Sequence, residues 1–272
     1  MRLERISPAT EAAALAYLSG SPYENVFISY LVLFDRASTT RSNIFVAMDG
    51  NRVRGVAYFG RQLVLACDLE ALDAFAERAA RYHGERTIVG PRETVRAFWD
   101  RLQNRHARPR IVRERQLVMM IDRRRLRRLD SPVRVRHARL DEWAAVADSS
   151  AQMIEQELAC DPRRASPEFV ANVRQMIESD RWWVGESGER LCFFCNVGPW
   201  CHKTAQLQGV WTPPELRGRG LATAALSAVC DELLDAASPT LSLYVNDFNT
   251  GAIALYRRVG FEHVSDFQTL LF

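Results

Sequence analysis

The chain reads as an α+β protein in which one unit is laid down twice, each a mixed, mostly antiparallel sheet flanked by helices. Three observations predict this. Short runs alternate apolar and polar residues with the period of a strand, while longer runs repeat with the period of a helix. The order strand–strand–strand–helix–strand–helix–strand occurs once in each half. An Arg-rich segment, Asp122-Arg-Arg-Arg-Leu-Arg-Arg-Leu-Asp130, separates the two occurrences. The expected division is a first domain over residues 1–122, a linker over 123–131 and a second domain over 132–272.

In the first half, Ile44 to Met48 and Val53 to Phe59 form a hairpin around Asp49-Gly50-Asn51, a turn sequence. Gln62 to Cys67 adds a third strand. A helix from Leu69 to His83, a short strand from Thr87 to Val89, a helix from Thr94 to Gln103 and a long strand from Ile111 to Ile121 follow. The second half opens with a strand, Val133 to His137, and two helices, Asp141 to about Ser149 and Pro167 to Glu178. Strands Trp182 to Glu186 and Leu191 to Val197 meet at Ser187-Gly188. A strand from Ala205 to Thr212 then leads through a proline turn and a basic glycine loop into a helix, Leu221 to Leu234. Strand Leu241 to Val245, helix Asn249 to Val259 and strand Glu262 to Leu271 complete the order.

With 272 residues and a formal charge of +3, the chain can bury a full core and carries no strong global field for nucleic acid. Of 36 basic residues only Lys203 is a lysine, which marks a high-GC genome and no function. The Arg-rich segment lacks interleaved aromatics for base stacking and is expected to be a solvated linker. No apolar run is long enough to span a bilayer and no leader pattern opens the chain, so a cytoplasmic protein without a membrane partner is expected. Homodimerisation is left open. Cys192-Phe-Phe-Cys195 with Cys201-His202 has a zinc-like spacing, but residues three apart on a strand face opposite sides and Phe-Phe makes a poor turn. The expectation is buried thiols and no metal.

The most informative stretch is Gln208-Gly-Val-Trp-Thr-Pro-Pro-Glu-Leu-Arg-Gly-Arg-Gly-Leu-Ala222. Amides at a helix start lack intrahelical partners and the helix dipole is positive there, so the segment is suited to an anion. Gly218 and Gly220 allow close backbone approach, and Arg217 and Arg219 supply charge that fits a phosphate. The segment lacks the lysine of a mononucleotide P-loop and the third glycine of a dinucleotide fingerprint.

Arg217, Gly220 and Ala222 match the pattern Arg/Gln-x-x-Gly-x-Gly/Ala, and the segment resembles the acetyl-CoA pyrophosphate loop of the GNAT N-acetyltransferase superfamily. The spacing of Val210, Thr212 and Pro214 fits as well. So does Leu241-Ser-Leu-Tyr-Val-Asn-Asp-Phe-Asn-Thr-Gly-Ala-Ile-Ala-Leu-Tyr-Arg-Arg-Val-Gly-Phe261, which is similar to the family's second half-motif. The chain resembles actinobacterial tandem GNAT proteins whose amino-terminal half is degenerate. In the first half Cys67-Asp-Leu-Glu70 stands where the loop would be, without glycine and with two carboxylates that repel a pyrophosphate.

The resemblance implies acetyl-CoA as acyl-donor cosubstrate and an unidentified primary amine as acceptor. It implies coenzyme contacts from Gln208, Val210, Trp211, Thr212, Arg217, Gly218, Arg219, Gly220, Leu221, Ala222 and Asn249. Val210 N–H is the implied oxyanion donor, and main chain from Val210 to Thr212 would pair with the pantetheine arm. Asn249 is also a good helix cap. Tyr256 is the implied acid for the departing thiolate. The Glu that many relatives carry on the loop-bearing strand is replaced here by Thr204, Gln206 and Gln208, so no base is assigned and a water relay is expected. Glu155 and Glu157 fall where the family covers its acceptor site and are candidates to hold a cationic amine; a solvated helix face accounts for them equally well. His202, in a turn, is expected to be inert. Two alternatives stand beside an N-acetyltransferase: an aminoacyl- or peptidyl-transferase of tandem fold, and a non-enzymatic acetyl-CoA-sensing regulator.

Overall fold

A computed structural model of the chain describes residues 1–81, 87–129 and 132–272. The first half runs β1 (Arg2–Arg5), α1 (Pro8–Leu18), α2 (Pro22–Phe34), α3 (Ser38–Arg41), β2 (Ile44–Asp49), β3 (Arg52–Phe59), β4 (Gln62–Cys67), α4 (Leu72–Ala80), β5 (Thr87–Pro91), α5 (Arg92–Leu102) and β6 (Ile111–Asp122). The second runs β7 (Arg134–His137), α6 (Trp143–Leu158), α7 (Pro162–Ala165), α8 (Phe169–Glu178), β8 (Trp182–Ser187), β9 (Arg190–Trp200), β10 (Ala205–Trp211), α9 (Leu221–Ala236), β11 (Thr240–Asn246), α10 (Thr250–Val259) and β12 (Glu262–Leu271). The expected elements are present and the two halves repeat the same order.

Four differences are informative. First, β1, α1 and α2 were not anticipated. Helix α2 is a nearly unbroken apolar run with no stripe, because it is covered on more than one side: it packs in the first half's core and also against β6, β9 and β10. Second, α6 runs nine residues past the expected Ser149, to Leu158, and ends on Ala159 in the left-handed region at φ 51°. Third, the helix expected from Leu69 begins as a 3-10 turn, Leu69–Ala71, before α4; His83 lies outside the described residues. Fourth, the Arg-rich segment is mostly exposed to solvent, as expected, but it is also tied to the second half. Arg123 and Arg128 pair with Asp231 on α9, Arg125 reaches Glu262 at 2.7 Å, and Arg127 N–H donates to Val259 O at 2.9 Å.

The twelve strands form one sheet in the order β1-β2-β3-β4-β5-β12-β6-β11-β10-β9-β8-β7. The closing strands of the two halves are exchanged. β6, made with the first half, lies antiparallel to β11, from Asp122 opposite Thr240 to Gln116 opposite Asn246. β12 lies antiparallel to β5, from Phe267 opposite Pro91 to Leu270 opposite Ile88. The two exchanged strands pair with each other at the centre. Leu117, Met119 and Ile121 of β6 are therefore buried in the second half's core, and Leu270 and Phe272 in the first half's. Burying such side chains contributes about 1.5–3 kcal/mol each. Three of them together supply about 5–9 kcal/mol in gross terms, which matches the whole net stability of an ordinary domain. Residues 132–272 thus lack a strand that their own core requires.

Alternation along strands assigns the helices to faces. Val118 packs with α1 and α2, while its neighbours Leu117 and Met119 pack with α9 and α10. Trp182 and Phe194 pack with α6 and α8, while Trp183 and Phe193 pack with α9. Hence α1, α2, α6 and α8 share one face of the sheet, and α4, α5, α9 and α10 the other. Cys192 and Cys195 both lie in the α9 core cluster, against the expectation of opposite faces. The register of β8 and β9 shifts between Gly185 and Glu186, which places a bulge at Cys192 and turns it inward. Burial pushes both thiols up.

Candidate active site

The parallel strands β10 and β11 pair only through Ala205 with Leu241 and Gln206 with Ser242, and then part. The cause lies on the other side of β10. Gln208 faces Asn196 and Trp211 faces Phe194, so Gly209 and Val210 oppose a single residue of β9. Such a bulge bends the strand and leaves main-chain groups outside the ladder. Gly209 takes φ +62°, and a Cβ there would stand 2.6 Å from Asn196 Nδ2. The position needs glycine on both counts. β4, the first half's counterpart, keeps an unbroken register with β3 from Gly55 opposite Cys67 to Phe59 opposite Leu63.

The loops that follow differ in the same sense. After β10, Gly218 and Gly220 adopt φ +75° and +77°, and a Cβ built on either meets nothing within 4 Å. Gly220 is the N-cap of α9, a helix of 16 residues. The loop is open to solvent at a helix N-terminus, where the first amides lack intrahelical partners and the dipole favours an anion. After β4, the chain's own carboxylates occupy the place. Asp68 accepts from Tyr17 Oη at 2.9 Å and Arg54 Nη1 at 3.2 Å, and Glu70 lies 3.6 Å from Arg54.

Arg217 braces the second-half loop. Its Nε donates to Thr212 O at 3.0 Å, its Nη2 to Gln156 Oε1 at 3.2 Å, and its guanidinium lies 4.4 Å from the Trp211 ring centroid. Arg219 is exposed beside it, while Leu221 and Ala222 form the half-buried first turn of α9. On β10, Gln208 Nε2 donates to Gln206 Oε1 at 2.9 Å, and Val210 packs against the α9 core. Around the bulge, Trp182 Nε1, Asn196 Oδ1, Trp211 Nε1 and Thr212 Oγ1 are buried without a partner among the described residues. Buried polar atoms are normally paired, so a run of unpaired ones beside an opened sheet suits a place where ligand or water is held.

Tyr256 lies on α10, one face away from α6. It is 7% exposed, its ring centroid is 5.8 Å from that of Phe261, and its hydroxyl has no hydrogen-bond partner among the described residues. Burial holds its phenol well above the ordinary range. Asn249 Oδ1 accepts from Ala252 N–H at 3.2 Å and caps α10. His202 is exposed in the bend between β9 and β10.

Glu155 and Glu157 have different surroundings. Both sit in the last turn of α6, and residues two apart on a helix point to opposite sides. Both are exposed; Glu157 Oε2 accepts from Arg113 Nη2 of β6 at 3.2 Å, whereas the Glu155 carboxylate has no partner among the described residues and its main-chain carbonyl accepts from Ala159 N–H at 2.8 Å. Sequence reasoning missed Arg113 and a buried polar chain on the same strand: Gln116 Nε2 donates to Asn246 Oδ1 at 3.1 Å, and Thr269 Oγ1 to Gln116 Oε1 at 2.5 Å. A glutamine directly before the apolar run Leu117 to Ile121 was the available signal.

Residues 150–261 match the profile of the acetyltransferase (GNAT) family, and residues 42–146 match a domain of unknown function (DUF4081). Solved structures with the same fold include a Drosophila protein at 11% identity and TM-score 0.73, covering 99% of this chain and 98% of that one. A GNAT-family acetyltransferase from Colwellia psychrerythraea is similar at 11% identity and TM-score 0.63, with all of both chains covered. A tandem GNAT protein from the clavulanic acid biosynthesis pathway is similar at 15% identity and TM-score 0.58, covering 99% and 98%. Among the described residues no helix is long and apolar enough to cross a membrane. The second half of the chain is thus a GNAT acetyltransferase domain, and the chain is an acyltransferase that carries this fold in tandem.

Proposed function

We propose that the chain transfers an acetyl group from acetyl-CoA to a primary amine, and that only the second half binds the coenzyme. The observation that carries this reading is the open glycine loop at the start of α9, whose counterpart in the first half carries the carboxylates Asp68 and Glu70 in place of glycines. Main-chain amides from Gly218 to Ala222 would hold the pyrophosphate, with Arg217 shaping the loop rather than gripping the ligand. Gln208, Trp211 and Thr212 would line the arm, and main chain released at the bulge would pair with it. Asn249 contributes by fixing the start of α10.

Acetyl-CoA supplies a thioester whose carbonyl carbon accepts the amine. The Val210 N–H, in the bulge, would meet the negative charge that grows on the carbonyl oxygen. The nitrogen lone pair forms the C–N bond and the C–S bond breaks. Tyr256 would donate its proton toward the leaving sulfur, regaining one from solvent, while the proton lost from nitrogen passes to water in the gap. The neutral side chains Gln206 and Gln208 can orient that water but cannot accept the proton themselves. Burial raises the Tyr256 phenol and keeps it protonated. The same burial makes a thiolate in the gap more basic than it is in water, which brings donor and acceptor closer.

Calorimetry with acetyl-CoA, followed by thiol release with a panel of amines, tests the reading. One equivalent per chain and amine-dependent release are expected. Two equivalents, or binding undisturbed by changes at Gly220, would overturn it.

A further inference from the structure

The last turn of α6 lies across the open end of the gap between β10 and β11 and is fastened on both sides. Gln156 holds Arg217 in the loop after β10, and the next residue, Glu157, holds Arg113 on β6, the strand beside β11. Arg113 belongs to the first half and reaches this place only because β6 is exchanged.

Four features set the Arg113–Glu157 pair at the acceptor side. Arg113 precedes Gln116, which faces Asn246 at the end of β11, so it stands where the two parallel strands are furthest apart. Glu157 and Tyr256 come from helices on opposite faces of the sheet, yet the Glu157 carboxylate adds to burial in pushing the Tyr256 phenol up. The two groups therefore lie within electrostatic reach of each other across the sheet. The buried floor beside the pair, Gln116, Asn246 and Thr269, offers amides and a hydroxyl but no charge. Helix α2 packs over β6, β9 and β10, with Tyr30 set 4.7 Å from Trp200, and walls the same face from the first half.

We propose that Arg113 and Glu157 form a paired-charge acceptor subsite for a small zwitterion, a primary amine that carries a carboxylate in the same molecule. Glu157 faces the ammonium and Arg113 the carboxylate. This deepens the transferase reading above and rests on it for the direction of transfer. The argument is one of exchange. The side chains of Arg113 and Glu157 are 15% and 41% exposed, and a zwitterion replaces their single ion pair with two, leaving no charge unmatched. A polyamine would set a cation against Arg113. An amino sugar would have to open the pair and offer only one of the two charges in return. A guanidinium has further donors beyond the one used here and binds carboxylate in a fork.

The test uses the full chain and reads binding separately from transfer. Each common L-amino acid is compared with its carboxamide, and with spermidine and glucosamine, by calorimetry without acetyl-CoA and by thiol release with it. At least one amino acid should bind and be acetylated, with its carboxamide weaker by about tenfold or more. Arg113→Met should erase that ratio by raising the acceptor KM with little change in kcat, leaving acetyl-CoA affinity and Tm near the parent's. Arg113→Lys should restore part of it, and Glu157→Gln should weaken both members of each pair. Preference for spermidine or glucosamine over every amino acid, or an unchanged ratio in Arg113→Met, would overturn the proposal. Discrimination that persists in binding while acetyl-CoA fails to bind would uphold the subsite and sink only the transferase reading.

Discussion

Replacing Gly220 with valine separates two roles that the glycine could have. At φ +77°, a side chain costs strain in the protein itself, about 1–2 kcal/mol for most residues and up to about 3 kcal/mol in an unfavourable case. That is below the 5–15 kcal/mol by which ordinary domains are stable, so the fold should survive with Tm lower by about 2–4 °C per kcal/mol. Because a Cβ at this position meets nothing within 4 Å, the added methyls project into the open space at the start of α9 and not into protein. If the loop relaxes away from its strained form, binding must restore it, which alone is worth about 5- to 150-fold. Steric occupation of the cradle adds to this, so acetyl-CoA affinity should fall by about 100-fold or more. Gly50 in the first half's hairpin is the control: φ +57°, and again nothing within 4 Å of a Cβ. Gly50→Val should lose similar Tm and no affinity. Calorimetry and thermal melts on both variants decide it. If Gly220→Val binds as tightly as the parent, with its melt shifted like that of Gly50→Val, the cradle does not hold the coenzyme.

Tyr256→Phe should lower turnover by about 100- to 10,000-fold with acetyl-CoA affinity unchanged, measured by single-turnover thiol release and calorimetry. Its phenol is raised by burial, so the proton is present below a value above 10, and the parent's rate should show no alkaline limb from Tyr256 up to about pH 10. Glu142 is held below its ordinary value of 4.5, first by the Arg136 hydrogen bond. A depressed carboxylate contributes stability above its unfolded value and loses it as pH falls through the folded one. Glu142→Gln should therefore lower Tm at pH 7, and the gap to the parent should close on acidification below about 4.5, read by melts across pH. Residues 132–272 expressed alone should be insoluble or unfolded, whereas residues 111–272, which restore β6, should yield a cooperative melt. A cooperative fold from 132–272 would show that β6 is dispensable to that core.

Local structure was legible because local chemistry determines it. Gly220 opening α9, Asn249 capping α10 and Gly50 turning the first hairpin fixed those boundaries to within a residue or two. What could not be read depended on partners distant in sequence. β6 and β12 alternate as strands should, but nothing in Ile111 to Ile121 states that Gln116 will sit between Asn246 and Phe267. Helix α2 hides its periodicity because Tyr30 meets Trp200 of the other half while Ile28 and Val32 face its own. The site divided along the same line. The loop Arg217 to Ala222 and the position of Tyr256 were visible as contiguous motifs, whereas the splay depends on a bulge and Arg113 arrives through the exchange. Glu155 and Glu157 were grouped because the family resemblance puts both where the acceptor site is covered, and the extended α6 turns them apart.

The exchange also sets a timetable for making the protein. Phe267, which pairs with Pro91, is synthesised 176 residues after it. At about 5–20 residues per second, the edge of β5 waits about 9–35 s for the strand that covers it. Throughout that interval the first half presents an unpaired sheet edge, the kind of surface that recruits other strands. The ribosome therefore cannot release a finished first half and then build a second; both must close in one late event. A stop codon anywhere before Glu262 would leave the damage in the first half as well as the second.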